Sequence, residues 1–185
     1  MYKILTIKDK IRVPPEKFGK KLKEALLEAI AEKYEGLVNK KLGAVLCVTK
    51  INEIGEGKIY PTDPGIHYET TFELLVFKPE LHELVEGEVV DTVDFGAFIN
   101  IGPFDGLVHI SQLMDDYVSF DKKNQTFIGK QTRKTLKVGD LVRARIISIS
   151  WTEQNKIGLT MRQPGLGNLI WIEEEKKKKK KKGGK

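Results

Sequence analysis

The sequence predicts an α+β chain: a small N-terminal α/β sandwich ordered strand, helix, strand, strand over residues 1–80, then a C-terminal five-stranded β-barrel over 81–173. Three observations predict it. In the first 80 residues a helical apolar pattern lies between strand-like runs. From Gly87 onward only short strand-like segments occur, each bounded by turn residues. Between them, Lys78-Pro79 and the short PELHELVEGE stretch mark a boundary. A lysine-rich tail, 174–185, is expected to be disordered. A chain of 185 residues suits one large domain or two small ones.

The first strand is MYKILTIKDKIRV, in which apolar and charged residues alternate until Pro14-Pro15. Proline fits the first turn of a helix, and Phe18, Leu22, Leu26, Ala29 and Ile30 then recur at helical spacing. Gly36 is a plausible stop. Lys41–Ile51, rich in valine, leucine and isoleucine, reads as the second strand. NEIGEGKIYPTDPG, dense in glycine, proline and aspartate, reads as a turn or protruding loop over 52–65. In Ile66–Phe77, Tyr68, Thr70, Phe72, Leu74 and Val76 share one face of a third strand. Five short strands follow: Glu88–Thr92, Gly96–Ile101, Gly106–Ile110, Leu141–Ile149 and Lys156–Met161. Five strands in about 75 residues suit a Greek-key barrel of the oligonucleotide-binding (OB) type. The connection 114–139 is long for a compact domain and is either functional or partly disordered.

Composition narrows the class. With 40% hydrophobic and 31% charged residues the chain can bury a core. No run approaches the roughly 18 apolar residues that span a bilayer, and the opening lacks the apolar region and cleavage site of a signal peptide, so no membrane partner is expected. Cys47 stands alone, so no internal disulfide forms, which fits a reducing cytoplasm. The formal charge of +6 is misleading, because Lys176–Lys182 and Lys185 carry eight positive charges. Taking eight from +6 leaves −2 for residues 1–175. Any nucleic-acid site in the body must therefore be local. The tail either attracts phosphates or is simply solvated.

A local site is legible in DTVDFGAFINIGPFDGLVHIS. Ala97, Ile99 and Ile101 alternate with Phe98 and Asn100, so the two sets face opposite sides of their strand. Phe95, beside Gly96, can lean onto the Phe98 surface, and His109 shares a face with Leu107 on the next strand. Arg143 and Arg145 alternate with Val142, Ala144 and Ile146 and add cations to an outer face. Rings on which unpaired bases stack, with cations for the backbone, suit single-stranded nucleic acid. Strand patterning alone leaves a second reading open, in which both phenylalanines are core.

VDFGAFINIG, DGLVHIS, KVGDLVRARIISI and KIGLTMR together resemble the RNA-binding OB module named after the largest protein of the bacterial small ribosomal subunit. The resemblance implies an RNA face built from two phenylalanines, a histidine, an aspartate and an arginine. Phe95, Phe98 and His109 match three of these, and Lys156 stands where the arginine is expected. No aspartate occupies Ser150–Thr152, where the family has one. Over residues 1–172, the segments LCV, PTD and VFKP, with TMRQPGLG near the end, resemble the E-prime family of archaeal DNA-directed RNA polymerase subunits. Its eukaryotic counterparts are the larger polymerase stalk subunits. That resemblance implies a non-catalytic stalk subunit that forms a heterodimer with the small stalk polypeptide, designated F, and docks on the RNA polymerase core through its first domain. It places Ile54, Gly55, Gly57, Lys58, Pro61 and Asp63 in a tip that wedges against the core, and gives the second domain to the emerging single-stranded RNA. The rival reading is an independent OB-fold RNA-binding protein of translation initiation or RNA decay.

Other signals carry less. Gly55-Glu56-Gly57-Lys58 lacks the upstream glycine, the following serine or threonine and the helix of a phosphate loop. His67, His82 and His109 have no acidic or cysteine companions nearby, so no metal and no cofactor is expected. Cys47, within the apolar run AVLCV, reads as a buried inert thiol rather than a nucleophile. Asp115-Asp116 reads as a solvated turn, and no carboxylate cluster suggests a catalytic centre. IWIEEE, with Trp171, either packs on the body or meets a partner.

Overall fold

The computed structural model describes residues 1–151 and 156–182, the last five by backbone alone. They form two compact units, Met1–Lys78 and Pro79–Lys185. The first contains β1 (Tyr2–Val13), α1 (Leu22–Tyr34), β2 (Val38–Asn39), β3 (Gly43–Tyr60) and β4 (Asp63–Phe77). Its sheet order is β1-β4-β3-β2. β1 runs antiparallel to β4 without a break, from Tyr2↔Phe77 to Val13↔Ile66. One sheet face carries α1, and Ile11, Val13, Leu26, Ile30, Phe72, Leu74 and Val76 are buried between them. Phe72, Leu74 and Val76 come from the alternating face read from the sequence, each burial contributing about 1.5–3 kcal/mol.

Two expectations in this unit need correction. The helix starts at Leu22, not near Phe18, which is 48% exposed. Prolines 14 and 15 instead close a separate 3-10 turn, Pro15–Lys17, with Lys17 N–H donating to the Pro14 carbonyl at 3.0 Å. The expected protruding loop 52–65 is mostly strand, since β3 and β4 extend to Tyr60 and back from Asp63. Glycine and proline concealed this because β3 is bulged rather than coiled into a loop. Its register with β4 shifts five times, at Val45/Cys47, Val48/Lys50, Ile51/Glu53, Ile54/Gly57 and Ile59/Tyr60.

The second unit adds β5 (Leu84–Val93), β6 (Gly96–Asn100), β7 (Asp105–His109), β8 (Val118–Asp121), β9 (Thr126–Gly129), β10 (Thr135–Lys137), β11 (Leu141–Ser150), β12 (Lys156–Thr160), β13 (Gly167–Asn168) and α2 (Leu169–Lys182). The strand order β12-β7-β6-β5-β11, with β11 also paired to β12, closes a five-stranded barrel. Val89, Ala97, Ile99, Val108, Val142, Ala144, Ile146 and Leu159 fill it, each at most 1% exposed. Gly96 has to be a glycine, because a Cβ there would lie 2.2 Å from the Val108 carbonyl oxygen.

The connection 114–139 is neither bare loop nor unstructured. It holds a three-stranded antiparallel sheet, β10-β9-β8, over fully buried Phe127 and Leu136. The tail also differs from expectation. α2 is anchored by buried Trp171 and Ile172 and runs through the lysine run to Lys182, lysine being a fair helix former. The tail's last residues, 183–185, lie outside the described residues, as does Thr152 in the segment that lacks the family aspartate. No helix is long and apolar enough to cross a membrane among the described residues.

Candidate nucleic-acid interface

The barrel wall sorts side chains as the alternation requires. On β6, Ala97 and Ile99 point inward, while Phe98 and Asn100 face out. On β7, Val108 is fully buried, while Leu107 and His109 face out. The register then sets neighbours. Phe98 lies opposite Leu107 on one side and Asp91 on the other, and His109 lies opposite Gly96. Because Gly96 has no side chain, Phe95 leans over this spot, 48% exposed, its ring 6.4 Å from that of Phe98 and nearly perpendicular at 85°. Its carbonyl accepts from the Ile110 N–H at 2.9 Å, which holds the chain after His109 against the strand entry. His109 Nδ1 lies 2.9 Å from Ser111 Oγ, fixing the imidazole at the start of a 3-10 turn, Ile110–Gln112. Phe95, Phe98 and His109 therefore form one solvent-facing aromatic surface with Leu107 among them. The core reading of the two phenylalanines does not hold.

The expected cations are arranged differently. Lys156 is exposed at the start of β12, whose Gly158 lies beside Leu107, so Lys156 sits at the end of the outward row away from His109. Arg143 is not free to grip a phosphate. Its Nε and Nη2 donate to Glu86 Oε1 at 2.9 and 2.6 Å, and β5 separates it from β6. Arg145 lies between Leu84 and Thr160, its Nε buried with no hydrogen-bond partner among the described residues. Asp91 opposite Phe98 is exposed as well, so the platform is aromatic rather than strongly basic.

In the first unit, Ile54, Gly55, Gly57, Lys58 and Pro61 are exposed along the outer part of the β3–β4 hairpin. Gly57 leaves room for a neighbour: a Cβ there would lie 2.8 Å from the Tyr68 ring. Sequence reasoning passed over Ile59 and Tyr60, which are 71% and 40% exposed at the tip. Asp63 turns inward instead. Arg12 grips it through Nε at 2.7 Å to Oδ2 and Nη2 at 2.8 Å to Oδ1; the Gly65 N–H donates to Oδ1 at 2.9 Å; His67 Nε2 lies 2.8 Å from Oδ2. Arg12 foremost, then Gly65 and His67, hold this carboxyl well below the usual carboxylate range. His67 is thus part of a knot beneath the tip, with the Tyr60 ring 5.1 Å from its own. Among the described residues, no three histidine, cysteine or carboxylate side chains converge as metal ligands would.

Residues 78–162 match the family model described as S1 RNA binding domain, and residues 8–64 that of an SHS2 domain found in the N terminus of Rpb7p/Rpc25p/MJ0397. DNA-directed RNA polymerase subunit Rpo7 of Saccharolobus shibatae is 39% identical over 177 residues, 94% of this chain and 98% of that one. The chain belongs to the Rpo7 family of DNA-directed RNA polymerase subunits. This is a family of polymerase stalk subunits with an S1 RNA-binding domain. The eukaryotic branch is similar at lower identity: RPB7 of Saccharomyces cerevisiae RNA polymerase II is 27% identical over 148 residues, 79% of this chain and 86% of its own length. A polyribonucleotide nucleotidyltransferase of Gluconobacter oxydans is 40% identical over only 91 residues, 49% of this chain and 11% of the enzyme. The Rpo7 likeness spans both units, whereas likeness to that nucleotidyltransferase covers about half of the chain. The rival reading as a free-standing RNA-binding protein is not favoured.

Proposed function

We propose that this Rpo7-family chain is a stalk subunit without a catalytic site of its own, and that it holds single-stranded RNA on the Phe95, Phe98 and His109 face of its barrel as transcript emerges. The single observation that carries this reading is the clustering of those three rings on one open face of a closed barrel. Bases stack on such rings at roughly 1–3 kcal/mol each. Lys156 serves the phosphate backbone from the far end of the row, while Arg143, engaged by Glu86, serves the barrel instead. Weak, sequence-tolerant grip is the consequence of a platform with few cations, and anchoring to a polymerase raises the local RNA concentration to compensate.

The first domain, taken as residues 1–80, docks on the polymerase core through the exposed rim of the β3–β4 hairpin, with Ile54, Gly57, Lys58 and Ile59 in contact. The second, 81–173, carries the RNA. Its stable partner is the small stalk polypeptide F, and the pair works in the cytoplasm. Phe98→Ala and His109→Ala are each expected to lower RNA affinity about tenfold, with the fold and polymerase pairing unchanged. Cross-linking of both variants to RNA at the parent level would falsify the platform.

A further inference from the structure

Where the His109 face ends, the 3-10 turn at Ile110–Gln112 borders an open cavity of about 520 Å³, lined by Ser111, Asp115, Asp116, Tyr117, Gln131 and Arg162. A cavity of this size holds a small ligand. Ser111 belongs both to the cavity and to the hydrogen bond that fixes His109, so platform and cavity are continuous. Tyr117 presents its ring at the rim, 76% exposed. Its backbone is held by Asp116, whose carboxylate accepts from the N–H groups of Tyr117 at 2.6 Å, Gln131 at 3.0 Å and Thr132 at 2.8 Å, and from the Thr132 hydroxyl at 2.8 Å. Asp116 is thereby saturated and rigid. Asp115 is not: Arg162 Nε and Nη2 both converge on its Oδ1, at 2.9 and 2.8 Å, and Oδ2 has no partner among the described residues.

The lining decides what fits. Two carboxylates against one guanidinium give a net negative wall, which repels phosphate. A flat ring and an unused carboxylate oxygen, however, suit a base: its face stacks on Tyr117 while an exocyclic amine donates to Asp115 Oδ2. We propose that this cavity is a second base-binding subsite, taking from RNA stacked on the barrel face one base that bears an exocyclic amine, so that cytosine is preferred to uracil. The inference rests on the platform reading and adds selectivity to it. Uracil offers a carbonyl where cytosine offers the amine, and a carbonyl facing Asp115 is unfavourable.

The test uses the full chain with short oligocytidine and oligouridine RNAs, affinity being read by fluorescence anisotropy. The parent is expected to bind oligocytidine about three- to tenfold more tightly. Tyr117→Ala should weaken oligocytidine binding about tenfold, and Tyr117→Phe should restore it. Asp115→Ala should erase the preference, oligocytidine affinity falling and oligouridine affinity rising until the two RNAs bind equally. Tyr117 is exposed, so an unaltered melting curve separates these effects from misfolding. Equal affinity of the parent for the two RNAs overturns the subsite, as does full binding by Tyr117→Ala when Phe98→Ala binds poorly. If Phe98→Ala also binds fully, or the parent binds neither RNA, the platform itself has failed and the subsite with it. Loss of polymerase co-purification by Tyr117→Ala, with RNA affinity intact, would make this a protein contact and equally overturn it.

Discussion

At the scale of single residues, the two halves of the molecule are unequally legible in the sequence. Phe95, Phe98 and His109 can be placed from period-two alternation, because a strand with one buried face leaves its other face no choice. Asp63 cannot. Its partners Arg12 and His67 lie on different strands, and only the pairing of β1 with β4 brings them opposite one another. Arg143 is misread for the same reason, since Glu86 faces it across a pairing invisible in the sequence. The Asp63 knot has a pH consequence. A carboxyl held below its ordinary value of 3.8 stabilises the fold above that value and loses the contribution as acid protonates it. Asp63→Asn is therefore expected to melt a few degrees lower at neutral pH. Its acid unfolding curve should also be flatter than the parent's below about pH 4. Thermal melts across that range check both; identical slopes would show that Arg12 and His67 hold nothing there.

At the scale of elements, the strand–helix–strand–strand order and the barrel's five strands are readable from apolar spacing, while the hairpin and the long connection are not. Glycine and proline normally announce loops, yet Gly55 and Gly57 sit in β3 because its bulges turn the strand without ending it. β8, β9 and β10 are three or four residues each, too short for a period to declare itself, and owe their existence to Phe127 and Leu136 beneath them. The proposed role of the hairpin is testable within this element. In Gly57→Leu the new side chain collides with the Tyr68 ring and with Ile66, whose Cγ2 would lie 2.9 Å from the added Cβ. Overpacking of this kind costs about 1–3 kcal/mol. Co-purification with the polymerase core should fall while RNA affinity of the second unit is unchanged. Undiminished co-purification would count against docking through this rim.

For the whole molecule, charge is partitioned: a body near neutrality ends in a helix whose outer stretch is solid lysine. The root of that helix is fixed by Lys134, which lies 5.3 Å above the Trp171 ring and pairs with Glu175 at 2.8 Å. Removing residues 176–185 changes the formal charge from +6 to −2. Retention on RNA at low salt should drop, and the slope of log affinity against log salt should flatten. The component lost in Phe98→Ala should persist. An unchanged salt slope would mean that the lysines never meet phosphate. The irregular ladder of β3 bears on how copies of the chain treat one another. Beyond Ala44 no strand among the described residues covers its far side, and such bare rims invite stacking into fibrils. Here the repeat slips roughly every third residue, so an approaching foreign backbone finds amides and carbonyls out of phase after one or two bonds. Concentrated stocks should consequently remain dispersed at this rim, leaving its side chains available for docking.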